Sequence, residues 1–326
     1  MIKTYATLGP ACCERALLAQ MLSRGLTGFR LNLSHKTLPE CRGWTEELKA
    51  AAHMTGTAPE LIIDLRGPEL RLAALPAPVP VAEGQTVDFG ADGLPLDSDI
   101  LAALTVGQEI LVDDGAIALR LEEISPEHAV CRCTQGGVIE GRKSLTLPGL
   151  DIVRPAVSQA DLQDLAVARD YGVTAVMQPF VRRRSDLAQV RAALHRFGLD
   201  DFQIFAKVED AEGVANLSEW MDLCDVVTIA RGDLGSNLPL PELPRAQKRI
   251  AKVCRERGQA FLVVTHLLQS MIHSPVPTRA EVTDIYNACL DGASALMITG
   301  ETAQGEHGLA AVEMLLAVAK IGEEDR

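Results

Sequence analysis

No stretch of about 20 uncharged apolar residues occurs in the 326-residue chain, which argues against a transmembrane helix. Positive charge is also short: 31 Lys and Arg stand against 44 Asp and Glu, a formal net charge of −13. That balance argues against a nucleic-acid partner, whose phosphates would be repelled, and against anionic membrane surfaces. The opening M-I-K-T-Y-A-T-L-G-P has one Lys and no apolar run before Gly9, so no signal peptide is expected and a cytoplasmic location is. Close cysteine pairs are missing: of the 8 cysteines none forms a C-x-x-C. The one C-x-C, Cys131-Arg-Cys133, lies in an alternating run where both thiols share a face. A zinc site would need two more ligands nearby, so these read as packing thiols, and the usage fits a reducing compartment.

What is present is alternation. Short β-branched runs at Ile2–Leu8, Gly28–Leu33, Leu61–Asp64, Ala175–Met177, Ile204–Val208, Val226–Ala230, Phe261–Val264 and Ala295–Ile298 read as strands. Amphipathic stretches at Glu14–Ser23, Pro39–Met54, Gln159–Tyr171, Asp186–Phe197, Val214–Met221, Leu243–Arg257, Thr283–Asp291 and Gly308–Ile321 read as helices. Ser158, Ser185 and the Thr278-Arg-Ala-Glu281 box offer caps. Eight βα repeats predict a closed (β/α)8 barrel. Residues 72–151 break the rhythm with Pro, Gly and the hairpin signals Asp113-Asp114-Gly115 and Gly136-Gly137. The run L-P-A-P-V-P-V at 75–81 cannot be a central strand. This segment is expected to be a small all-β domain inserted after the third strand. Residues 1–71 and 152–326 then approach the ~250 typical of a barrel.

Reacting groups in such barrels sit at the carboxyl ends of the strands. Six of the eight ends are polar: Arg30-Leu-Asn32-Leu-Ser34-His35, Asp64 followed by Arg66 and Arg71, Lys207-Val-Glu209-Asp210, Arg231-Gly232-Asp233, Thr265-His266, and Thr299-Gly300-Glu301-Thr302. A lone Lys-x-Glu is ordinarily a solvated face; six ends in register with a counted barrel are not. The cations Arg30, Arg71, Lys207 and Arg231 suit phosphate and carboxylate. Glu209 and Asp233, from adjacent strands, could share Mg²⁺ or Mn²⁺. Gly232 lets a backbone N–H approach an anion at a helix start. The run Arg182-Arg183-Arg184 reads as a solvated loop, with substrate phosphate as its alternative. The expected activity is metal-dependent and acts on a small phosphorylated or carboxylated acid.

In order along residues 3–322, the chain resembles the pyruvate kinase family. The carrying motifs are A-T-L-G-P (6–10), R-L-N-L-S-H (30–35), I-D-L-R-G-P-E-L-R (63–71), V-D-D-G (112–115), P-A-V-S-Q-A-D-L-Q-D-L (155–165), K-V-E-D (207–210), A-R-G-D-L-G (230–235), P-T-R-A-E-V-T-D (277–284) and G-E-T-A (300–303). The resemblance implies a barrel with a β insert after strand three. It implies a divalent metal on Glu209 and Asp233, and a monovalent cation, K⁺, on Asn32, Ser34, Asp64 and the backbone of Leu65. Lys207 would neutralise the transferring phosphoryl group, Arg30 would contact the phosphate, and Thr265 would assist the proton at the enolate. Gly232, with Lys207, Asp233, Thr265 and Arg30, would line the phosphoenolpyruvate or pyruvate site. Arg71, Lys143, Asn32 and His35 would belong to the ADP or ATP site, with the insert closing as a lid.

Several positions depart from the family pattern. The family's Lys two residues after Asp64 is Arg66, Asp210 adds a negative charge after Glu209, His266 follows Thr265, and Gln304 ends the G-E-T-A stretch. No aromatic lies between His35 and Trp44, where the family places one near the base; the position is Glu40 or a neighbour. The chain stops near Arg326, whereas family members continue into an effector domain. A short form, insensitive to sugar-phosphate effectors and at most a homodimer, is therefore expected. The phosphoenolpyruvate end is intact and the nucleotide end is eroded. Two other functions share part of the pattern. Metal-dependent pyruvate-enolate aldolases use a similar Glu/Asp pair but generally lack the β insert and the R-x-N-x-S-H set. A non-catalytic phosphoenolpyruvate sensor would be expected to lose Lys207, Glu209, Asp233, Thr265 and Arg30 first.

Overall fold

Strands covered on both faces read as short apolar runs, and eight of them here form one closed parallel barrel. The computed structural model describes every residue except His35, Asp92, Asp114, Asp151 and Val153. In chain order the strands are β1 (Lys3–Thr7), β2 (Gly28–Asn32), β3 (Glu60–Asp64), β4 (Val79–Val81), β5 (Thr86–Gly90), β6 (Glu109–Val112), β7 (Ile117–Ser125), β8 (His128–Gln135), β9 (Gly137–Ile139), β10 (Leu145–Thr146), β11 (Ala175–Gln178), β12 (Gln203–Val208), β13 (Val226–Ala230), β14 (Ala260–Val264) and β15 (Ala295–Ile298). The helices are α1 (Arg15–Ser23), α2 (Arg42–Thr55), α3 (Ser98–Ala103), α4 (Gln159–Val167), α5 (Arg184–Arg196), α6 (Ala211–Ala215), α7 (Leu217–Trp220), α8 (Arg231–Asn237), α9 (Leu243–Arg257), α10 (Arg279–Leu290), α11 (Gly300–Ala303) and α12 (Gly308–Glu324). The barrel runs β1-β15-β14-β13-β12-β11-β3-β2, as the βα alternation predicts.

Side chains alternate along each barrel strand between the helix layer and the axis. Phe29 and Leu31 of β2, and Ile204, Ala206 and Val208 of β12, pack against the helices. Tyr5, Ile62, Met177, Phe205, Leu262 and Met297 fill the axis, where Tyr5 and Phe205 meet edge to face at 6.0 Å. At the amino end, Tyr5 Oη donates to Glu60 Oε2 at 2.7 Å, and Lys3 pairs with the same carboxylate. Toward the carboxyl end, the axis-facing positions two residues beyond Tyr5, Ile62 and Phe205 are Thr7, Asp64 and Lys207. The apolar column thus ends in a polar layer.

The chain divides into two compact units, residues 1–67 with 155–326, and residues 68–154. The second unit begins and ends slightly outside the expected 72–151. Arg71 bridges Ser144, Leu72 N–H donates to the Lys143 carbonyl, and Arg154 pairs with Asp97 and Asp99, which ties both ends to it. It holds a five-stranded antiparallel sheet, β10-β6-β7-β8-β5, and a two-stranded ladder, β4-β9, around its own core. Pro80 sits in that short ladder, away from any central strand. Cys131 and Cys133 both face the core, and burial pushes the Cys131 thiol up to about 12. Three local expectations are corrected. The insert contains α3, too short to leave a helical period. Gly136-Gly137 does not turn a hairpin: β8 and β9 belong to different sheets. Ser185 is not the cap of α5; the helix begins at Arg184 because Asp186 accepts the N–H groups of Arg182 and Arg183 at 3.0 and 2.9 Å. Ser158 and Thr278 do cap α4 and α10, each in a capping box. The hairpin signal's Asp114 lies outside the described residues.

Candidate active site

The polar layer gathers charges from three strands. Arg30 Nε and Nη2 donate to Asp64 Oδ2 at 3.0 and 2.5 Å, and Nη1 donates to Thr7 Oγ1 at 3.3 Å. Lys207 Nζ lies 3.3 Å from the same Asp64 oxygen and 2.9 Å from Glu209 Oε1. Glu209 Oε2 accepts the Phe180 N–H at 2.7 Å; Phe180, just beyond β11, takes a left-handed φ of 49° to aim it. Burial alone would depress the Lys207 ammonium, but Asp64, Glu209 and Asp233 outweigh it and hold its pKa above the usual lysine value. Burial raises the Glu209 carboxyl well above its usual range, Lys207 opposes that, and the negative Asp233 and Asp64 add to it. The layer is a buried charge cluster short of positive charge near Glu209.

Its unsatisfied atoms are oxygens. Among the described residues, the buried Asp64 Oδ1 and Glu209 Oε1 accept no hydrogen bond, the latter having only its ion pair with Lys207. The Asp233 carboxylate is partly exposed, and among the described residues it has no hydrogen bond or ion pair. Asn32 Oδ1 accepts the Ser34 N–H at 3.1 Å, and Leu65 N–H donates to the Met177 carbonyl at 3.0 Å, which fixes both segments beside Asp64. All-oxygen donor sets with free lone pairs fit hard cations. No group of three or more His, Cys, Asp and Glu suited to a metal occurs among the described residues. An ion between Glu209 and Asp233 would complete its shell with water and substrate oxygens.

Thr265 follows β14 directly, and its Oγ1 accepts the Gly232 N–H at 2.7 Å and donates to the Val264 carbonyl at 2.6 Å. Gly232 N–H, expected to face an anion, is therefore directed at Thr265. Arg231, expected among the cations of the mouth, instead donates to the Thr265 carbonyl and pairs with Asp284, which leaves no fork for a substrate. Asp210 adds no uncompensated charge: it caps α6 through the Gly213 N–H and pairs with Arg182. Arg183 and Arg184 pair with Glu212 and Asp222, so the basic run ties adjacent loops together.

Sequence reasoning missed the groups that hold the segments following β2 and β3. Asp161 accepts the N–H groups of Arg66 and Gly67 at 2.8 and 3.0 Å, and Asp164 accepts the Leu38 N–H and Arg66 Nη1, both at 2.7 Å. The i, i+3 spacing of these aspartates behind Ser158 was the available signal. Arg71 donates to Glu69 and to the Arg142 carbonyl, and Lys143 pairs with Asp113 and Glu140, all within the insert. His35 lies outside the described residues.

A closed barrel with ionisable groups gathered at the carboxyl ends of its strands has the build of a barrel enzyme. The family model described as pyruvate kinase, barrel domain, matches residues 1–312. A pyruvate kinase of Mycobacterium intracellulare is 36% identical over 322 residues, covering 96% of this chain and 68% of its own. That of Aeropyrum pernix is 36% identical over 321 residues, with 98% and 70% covered, and that of Chlamydia pneumoniae 35% over 328, with 97% and 67%. The chain belongs to the pyruvate kinase family and is a phosphotransferase of that kind. No helix among the described residues is long and apolar enough to cross a membrane.

Proposed function

We propose that this enzyme passes the phosphoryl group of phosphoenolpyruvate to ADP, giving ATP and pyruvate, with Mg²⁺ or Mn²⁺ and K⁺ as cofactors. The supporting observation is Lys207, held as an ammonium between two buried carboxylates, with Asp64 Oδ1 left without a hydrogen bond among the described residues and Glu209 Oε1 facing only that ammonium. In this reaction the bond between phosphorus and the enol oxygen breaks, a β-phosphate oxygen bonds to phosphorus, and C3 of the enolate takes a proton. Lys207 offsets the charge on the moving phosphoryl oxygens, and Arg30 binds the phosphate alongside it. Thr265 serves the proton at C3. Glu209 and Asp233 would hold the divalent ion, which neutralises phosphoryl and enolate oxygens when bound. Asn32, Ser34, Asp64 and the Leu65 backbone would hold the monovalent one.

The nucleotide end is the weaker one in this reading. A polyphosphate must compete with Glu69 for Arg71 and with Asp113 and Glu140 for Lys143. No aromatic stands between His35 and Trp44 to stack on a base. These losses amount to about 1–3 kcal/mol, or ~10–100-fold in affinity. Titration calorimetry with Mg²⁺ present is expected to show oxalate, a pyruvate-enolate mimic, binding far more tightly than ADP. An ADP dissociation constant equal to or below that of oxalate would overturn this ranking, and absence of ATP formation from phosphoenolpyruvate and ADP would overturn the assignment.

A further inference from the structure

Thr265 and His266 both occupy the left-handed region, with φ of 70° and 54°. For a β-branched residue that conformation is an outlier, and it persists only where neighbours over-determine it. Three helices supply those neighbours. Arg231, the first residue of α8 and 8% exposed, donates Nε and Nη2 to the Thr265 carbonyl at 3.1 and 2.7 Å. Asp284 of α10 accepts Arg231 Nη1 at 2.6 Å. Glu301 of α11, fully buried, accepts the Leu268 N–H at 3.0 Å and fixes the far end of the turn. Gly232 N–H then meets Thr265 Oγ1. Two N–H groups of a planar guanidinium on one carbonyl set its direction as well as its position, which a lysine cannot do.

We infer that Arg231, anchored by Asp284, is a positioning residue: its fork holds the Thr265 backbone in the left-handed turn that directs Oγ1 to the C3 face of the substrate. Arg231 touches no substrate; it acts through Thr265. This rests on the reading that Thr265 serves the C3 proton, and it gives the A-R-G-D and P-T-R-A-E-V-T-D motifs a shared task, joining residues 53 positions apart.

The test uses the full chain with Mg²⁺, and variants Asp284→Asn, Arg231→Lys, Thr265→Ala and the double variant Asp284→Asn/Thr265→Ala. Turnover, KM for phosphoenolpyruvate, oxalate affinity, and hydrogen–deuterium exchange at C3 of pyruvate are measured, with thermal melts to verify folding. Asp284→Asn and Arg231→Lys are expected to lower exchange and turnover by about 10-fold while KM and oxalate affinity stay within about 2-fold. Added to Thr265→Ala, Asp284→Asn is expected to cost nothing further. Wild-type exchange in Asp284→Asn and Arg231→Lys, or an equal loss from Asp284→Asn in both backgrounds, overturns the inference while Thr265 keeps its role. Wild-type exchange in Thr265→Ala overturns that role and the inference together. If Arg231→Lys fails to fold, Asp284→Asn carries the test, because its carboxylate is 34% exposed at the surface.

Discussion

Glu209 is 1% exposed whereas Asp233 is partly open to solvent, so the two carboxylates are not equivalent tests of a metal site. Replacing Glu209 also removes a partner of Lys207, whose side chain is only 12% exposed, which mixes stability with binding. Among the described residues, Asp233→Asn touches neither a side-chain hydrogen bond nor an ion pair. It is expected to weaken Mn²⁺ binding by about 10-fold or more and lower activity ~10²-fold, with the melting temperature almost unchanged. Unaltered Mn²⁺ affinity, read by paramagnetic relaxation, would remove Asp233 from the site. Lys207→Met is expected to leave less than about a tenth of wild-type turnover, since in the proposed reaction the ammonium would offset charge that grows during transfer. Retained turnover would point to Arg30 instead. Lys207 and Glu209 could be named from sequence because a period-two strand ending puts them on one face of β12 and its extension. The partners of Arg231, Asp210 and Arg66 could not, since each pair joins segments 28 or more residues apart and leaves no local pattern.

Helix α10 owes its start to a reciprocal cap that also reaches the Thr265 turn. Glu281 accepts the Thr278 N–H at 2.8 Å, and it accepts both the N–H and Oγ of Ser270, at 2.7 and 2.6 Å. Burial would raise this carboxyl, but the Ser270 and Thr278 hydrogen bonds prevail and hold its pKa below the usual glutamate value. A lowered native pKa means the charged form stabilises the fold above the unfolded-state value near 4.5, and that contribution fades as pH falls below it. Glu281→Gln is thus expected to cost about 1 kcal/mol at pH 7 and progressively less toward pH 3, measured by urea unfolding. A pH-independent difference would mean that the charge plays no part. The Thr278 box was visible in sequence because capping is local, but its second use by Ser270 was not. The barrel strands were legible for the same local reason: short apolar runs bounded by polar ends. The Ser185 cap misled because a hydroxyl beside Asp186 resembles a start signal, while Asp186 itself, at the third helical position, gathers the free N–H groups.

Each of the two units closes around an apolar core of its own, so damage to one core should be felt first where it lies. Leu119 is fully buried in the insert. Leu119→Ala is expected to cost about 2–5 kcal/mol and to speed hydrogen exchange across β6–β8 while the protection of β12 and β13 stays at its wild-type level. Uniform loss in both units would show a single cooperative unit. The barrel adds a constraint of another kind. Phe205, Lys207 and Glu209 share one face, with Phe205 in the packed axis and the other two in the charged layer above it. Deleting one codon within β12 would therefore exchange inside for outside along the whole segment. With the deletion ahead of Ala206, Lys207 and Glu209 would be driven into the oily layer beneath the helices, and Val208 and Asp210 would take their places in the charged layer. Chemistry and folding here share a reading frame, so length variation must accumulate in the loops beyond Glu209 and cannot be absorbed in the strand.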